Sequence, residues 1–116
     1  MSLWIPVVTG VLAWLCAIIF GVIADKSRRG TLPRNSAVGI RLPSTMQSDE
    51  AWTTAHRKTW TANALIAVIF FLGGGFMLLQ SGEMSKTPYL VAAAITFGSL
   101  VPILIIQVRL AQKAVH

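Results

Sequence analysis

The chain has 116 residues, 54% of them hydrophobic and only 12% charged, with ten Lys and Arg against four Asp and Glu. Its mean hydropathy is +0.66. Soluble domains carry charge on about a quarter of their residues, so this composition excludes an ordinary soluble fold, and the length supports one domain.

The first apolar run, Leu3 to Ala24, holds 22 residues with Thr9 as its one polar side chain. At ~1.5 Å per residue, about 20 residues cross a ~30 Å hydrocarbon core, and in lipid the backbone must bond to itself, so the run is expected to be a helix. It lacks a basic leading region and exceeds the roughly 7–15 apolar residues of a signal peptide. Basic residues follow it instead, in "DKSRRG". Ala13, Ala17 and Gly21, with Ala24 behind them, form a small-residue stripe that lets another helix approach closely. Cys16, the only cysteine, excludes an internal disulfide and reads as a small buried side chain. Trp4 and Trp14 serve as anchors of the outer half.

A basic, patterned segment comes next, with Pro33 and Pro43 bracketing a stretch that cannot be one continuous helix. "VGIR" is short and β-prone, and Gly39 permits an unusual backbone angle. A helix start is then well marked: Ser48 suits an N-cap, and Asp49 and Glu50 place negative charge in the first turn. The spacing predicts a helix from Asp49 directly into the second span. Trp52, His56 and Trp60 recur every fourth residue and share one face. They read first as an interfacial aromatic belt; His56 is then packed or headgroup-facing, the alternative being a ligand- or pH-sensing group. With no nearby cysteine and no second ligand on its face, it makes a poor metal site.

The second span, Ala62 to Leu79, contains one polar side chain, Asn63, and a Gly73–Gly74–Gly75 run. The glycines imply tight packing or local bending, or else a hinge or a close approach to a ligand. The third, Pro88 to Ile106, has nothing more polar than Thr96 and Ser99. Its Ala94, Gly98 and Pro102 form a second small-residue stripe, and Pro102 removes the bond to the Gly98 carbonyl, so a kink is expected there. No Asp, Glu, Lys, Arg or His lies inside a span, which argues against an ion-coupled transporter.

Seven of the ten basic residues (Lys26, Arg28, Arg29, Arg34, Arg41, Arg57 and Lys58) lie between the first two spans. The second connection holds only Lys86, and Arg109 and Lys113 follow the third span. Basic connections stay cytoplasmic, so the N-terminus is expected outside, with the long connection and the C-terminus inside. The net charge of +6 is explained by topology and the anionic leaflet rather than by nucleic acid. The expected fold is an all-α integral membrane protein: one three-helix transmembrane domain over residues 1–116, with spans at about 3–24, 60–80 and 88–108 and a structured cytoplasmic loop over 25–59.

The order Asn35, Gly39, Ile40, Arg41, Thr45, then Trp52, His56 and Arg57 resembles the signature of the SdpI family of small bacterial membrane proteins. The resemblance covers Arg34 to Arg57, and the hydropathy around it matches over most of the chain. Leu42 stands where that signature usually has Thr, and the chain looks like the motif-bearing half of the longer member for which the family is named. The resemblance implies a bacterial plasma-membrane location and a role in immunity to a peptide toxin or in signalling through a cytoplasmic regulator. Asn35, Gly39, Arg41, Thr45, Trp52, His56 and Arg57 are the motif and partner-binding residues. Arg41 and Arg57 can each bind carboxylate or phosphate through two N–H groups. Pairing with Asp49 or Glu50 would make them scaffold instead.

A second reading is an accessory subunit of a larger respiratory or transport complex, since the small-residue stripes exceed what three helices need. A membrane enzyme acting on lipid headgroups would use His56 with Arg41 and Arg57, but no nucleophile accompanies that single base. The expectation is therefore a protein with no catalytic residues, metal or cofactor.

Overall fold

A computed structural model of the chain describes residues 4–35, 39–80 and 86–114. Among them are five helices and no strand: α1 (Trp4–Arg29), α2 (Pro43–Met46), α3 (Asp49–Leu79), α4 (Lys86–Gly98) and α5 (Leu100–Ala114). Three rods, α1, α3 and α4–α5 together, are long and apolar enough to cross a membrane. The protein is thus an all-α multi-pass membrane protein. The β-prone "VGIR" forms no strand: Val38 lies outside the described residues, and Ile40 and Arg41 belong to no regular element.

α3 is the central rod. It makes its largest contact with α1 and meets α4 and α5 on another side, while α1 and α4 barely touch. Glycines set the spacing. A Cβ on Gly74 would lie 2.9 Å from the Gly10 carbonyl oxygen, and one on Gly10 would lie 3.0 Å from that of Gly74, so the two backbones are in direct contact. Gly73 receives Thr96 of α4 so closely that any side chain would collide with it. The triple glycine is therefore a packing device, each of its first two residues serving a different neighbour.

Ala13, Ala17 and Ala24 lie buried as their spacing predicts. The second stripe does not: Ala94, Gly98 and Pro102 are all exposed, and a Cβ on Gly98 would meet nothing within 4 Å. This rod turns Tyr89, Thr96, Gln107 and Ala111 inward instead. That face carries the polar groups, which lipid disfavours, and Gly73 offers Thr96 a notch. The expected break appears three residues before Pro102, at Ser99, between α4 and α5. Ser99 N–H still reaches the Ile95 carbonyl (3.0 Å) and Ile103 N–H reaches that of Ser99 (3.3 Å); Pro102 has no N–H to offer Gly98.

Polar bonds in the half of the bundle away from the loop are few. Thr9 and Tyr89 hydroxyls meet at 3.0 Å, tying α1 to α4. Trp14 lies on Phe71 with ring centroids 5.9 Å apart, and its indole N–H donates to the Phe71 carbonyl at 3.0 Å. Large apolar side chains such as Ile18, Val68, Leu72, Ile95 and Val101 point outward, as a surface dissolved in lipid tails requires.

Candidate functional site

At 31 residues α3 is ~46 Å long, so roughly ten residues stand beyond a ~30 Å hydrocarbon core. Those residues, from Asp49 to near Trp60, carry the later part of the motif, Trp52, His56 and Arg57. Ser48 caps the helix as its sequence indicates, its hydroxyl accepting from Ala51 N–H at 3.0 Å. α1 ends just as cleanly: Gly30 takes φ +73°, and Thr31 N–H bonds the Lys26 carbonyl at 2.8 Å, closing the helix in a Schellman-type turn.

Between these ends the loop wraps the lower part of α3. Trp52 and His56 are each 1% exposed, their rings tilted 33° to one another with centroids 4.2 Å apart. They are covered by protein rather than presented to headgroups as an aromatic belt. Leu32, with Ile23 and Met46, packs on Trp52 from one side, and the indole N–H donates to the Leu32 carbonyl at 2.8 Å. From the other side Gly39, at φ +100°, lies so close that a Cβ would sit 2.6 Å from His56 Nε2 and 2.8 Å from the indole. Only glycine combines that dihedral with that contact. Next to it Ile40 is wedged between Ala55 of α3 and Ala111 of α5.

His56 locks this arrangement. Its Nδ1 faces the Trp52 carbonyl at 2.7 Å, and its Nε2 accepts from Ile40 N–H at 2.9 Å. A carbonyl can only accept, so Nδ1 carries the proton and the ring is neutral. Burial pushes its pKa below the usual histidine value, opposed by the bond to the Trp52 carbonyl. The residue precedes the apolar span that begins near residue 60. Thr45, fully buried, is the second lock: its hydroxyl donates to the Ile40 carbonyl at 2.6 Å and accepts from Leu42 N–H at 2.9 Å. It thereby forms the short turn of α2, which the sequence did not announce. Leu42 joins the Ile40 cluster, an apolar role that a Thr would fill poorly.

The arginines sort differently from the carboxylate pairing expected for Arg41 and Arg57. Asp49 is taken by Arg34, whose Nε lies 3.2 Å from its carboxylate while Nη1 donates to the Met46 carbonyl at 2.8 Å. Asp25 serves Arg28 and Arg29. Arg41 and Arg57 are exposed and pair with no carboxylate among the described residues. Arg57 lays its guanidinium on Gly30, where a Cβ would approach it to 3.1–3.3 Å. Arg28 lies 6.0 Å above the half-buried Trp60 ring. Asn35 is half-buried, its side-chain amide donating to the Pro33 carbonyl at 2.8 Å.

Thr45, Trp52 and His56 thus build one hydrogen-bonded unit with Gly39 packed against it, and Arg41 projects from it. Asn35 and Arg57 sit at its margins. Arg34, Asn63 and Gln107 escaped notice as site residues, although Asn63 is the one polar side chain in its apolar run, a signal available beforehand. Among the described residues no three His, Cys, Asp or Glu side chains gather into a metal-ligand set. A family profile described as the SdpI/YfhL protein family matches residues 31–108, which include all seven motif residues, α3 and most of α4–α5. No curated relative and no solved structure matches the chain.

Proposed function

The chain belongs to the SdpI/YfhL protein family, and from that premise we propose a non-enzymatic protein of the bacterial plasma membrane that acts in peptide-toxin immunity or in signalling. Its loop contacts a peptide or a cytoplasmic regulator. One observation carries this reading. The loop is tied down at Leu32, Ile40 and Thr45 yet leaves the exposed Arg41 without a carboxylate among the described residues. A guanidinium held on a fixed backbone is prepared to take a partner's carboxylate or phosphate through two N–H groups. The orientation rests on the basic residues: with the loop and C-terminal end inside, nine of ten lie on the cytoplasmic side.

A photo-reactive side chain at position 41 tests the contact. The expected adduct is a peptide or a soluble protein. The accessory-subunit reading draws on the exposed Ala94–Gly98–Pro102 stripe, and an adduct to a membrane subunit from position 94, with none from 41, would replace the first reading by it. Cysteine labelling tests the topology. In a Cys16→Ala background, Gln47→Cys is expected to stay shielded from an impermeant thiol reagent in intact cells, and Ser85→Cys, outside the described residues, to react. The reverse pattern inverts the orientation.

A further inference from the structure

The docked loop closes over a cavity of about 220 Å³ to which every spanning rod contributes: Phe20 from α1, Asn63 from α3, Leu104 and Gln107 from α5. Gly39 to Leu42 of the loop form the remaining wall. Two buried carboxamides line it. Asn63 is 4% exposed, and its side chain makes no hydrogen bond with any described residue. Gln107, 2% exposed, has a single long bond to the Thr59 carbonyl, at 3.4 Å. Neither amide is among the fully enclosed polar side-chain atoms left without a partner, so both open onto the cavity they line and can donate to an acceptor held there. Among the described residues, Ser27 Oγ is the one fully enclosed polar side-chain atom without a partner.

We propose that the cavity binds one anionic phospholipid. Its phosphate lies on Arg41, its glycerol and ester oxygens accept from the amides of Asn63 and Gln107, and its acyl chain leaves past Phe20 and Leu104 into the bilayer. The order of chemistry in the wall matches that of the molecule. Ile40, next to Arg41, is bonded to His56, and Asn63 stands seven residues further along α3, about 10 Å toward the membrane interior. Phe20 lies beyond Asn63, beside Phe70. Cation, amides and apolar wall thus follow one another as phosphate, ester and chain do. The cavity has the volume of about seven waters at ~30 Å³ each, which suits a phosphoglycerol group and leaves the chains outside. α1 and α5 have little direct contact, and the proposed acyl chain leaves between them. Arg34, Arg57 and Lys58 on the same end draw anionic headgroups to that level.

The test uses the full chain in mild detergent, with native mass spectrometry and thermal melting as readouts. Phosphatidylglycerol is expected to remain bound at one molecule per chain and to raise the melting temperature, and phosphatidylcholine with the same chains to do neither. Arg41→Ala and Asn63→Leu are each expected to weaken phosphatidylglycerol binding about ten-fold, the loss of one charge-assisted or amide contact. If Asn63→Leu fails to fold, Gln107→Met reads the same contact. Equal retention of phosphatidylcholine, or unchanged binding in both amide variants, overturns the proposal. So does an equal melting shift with glycerol phosphate alone, which would mark a soluble anion, or a co-purified peptide in place of lipid. Arg41 is shared with the contact proposed above, but Asn63 and Gln107 are not. Lost lipid selectivity in Asn63→Leu with crosslinking at position 41 intact therefore separates the two.

Discussion

The two ends of this bundle are held together by different means. In the half away from the loop, Gly10 meets Gly74, Gly73 receives Thr96, and the polar ties are Thr9 to Tyr89 and Trp14 to Phe71. At the loop end, Trp52, His56 and Thr45 bond backbone groups of Leu32, Ile40 and Leu42, all of them remote from α3 or outside any helix. Close packing fixes how near two rods lie but discriminates weakly among directions. Hydrogen bonds fix orientation as well, and the backbone that presents Arg41 is the part they hold. The half away from the loop is built to stay together in lipid, the loop end to hold a shape.

The largest test of this contrast is Trp52→Ala. It removes a buried indole and its bond to Leu32, at a cost of roughly 3–5 kcal/mol, the range for buried aromatic truncations. In nanodiscs, trypsin is expected to cut at Arg34 and Arg41 much faster than in the unmodified protein. Equal rates would mean that the loop holds without its central side chain, and the contrast would collapse.

Gly74→Ala strikes the other end. Its Cβ would meet the Gly10 carbonyl at 2.9 Å and Trp14 Cδ1 at 2.6 Å, and since backbone cannot turn aside, about 1–3 kcal/mol of overpacking is expected. Thermal melting in detergent should fall while trypsin protection of the loop survives. Loss of both together would show one cooperative unit rather than two.

Acid should sharpen the difference. His56 has its pKa lowered by burial, so the unfolded chain binds the proton more readily than the folded one. The neutral ring's contribution is complete above the ordinary value near 6.5 and is lost as pH falls from there through the folded value. Protonation also takes from Ile40 N–H its acceptor. Loop cleavage is expected to accelerate between pH 7 and mildly acidic pH, and His56→Gln to flatten that profile. A wild-type profile as flat as the variant's would remove His56 from the lock.

The smallest effect belongs to Arg41→Lys. An exposed side chain without an ion pair among the described residues should change stability by no more than about 0.5 kcal/mol. A clear fall in melting temperature would return Arg41 to the scaffold, the role that pairing with Asp49 or Glu50 would have implied.

Much of this was legible in the sequence because it is local. Apolar run length makes the three spans, and Ser48 with Asp49 and Glu50 starts α3 where the chain indicates. Four-residue spacing puts Trp52 and His56 on one face whatever covers them. What covers them is a long-range matter. That Leu32, Gly39 and Ile40 enclose the pair, that Thr45 folds α2, and that Asp49 goes to Arg34 rather than to Arg41 or Arg57 depends on where the loop lands. The same limit explains the two small-residue stripes, alike in spacing and opposite in outcome. Spacing says which residues share a face, but only the positions of Gly73, Thr96 and Gln107 across the helix boundary decided that the Ala94 stripe turns outward. Asn63 shows this most plainly: one polar residue in an apolar run can face lipid, a neighbouring helix or a cavity, and tertiary packing alone chose the cavity beneath the loop, because a carboxamide turned to lipid tails would meet no polar group at all.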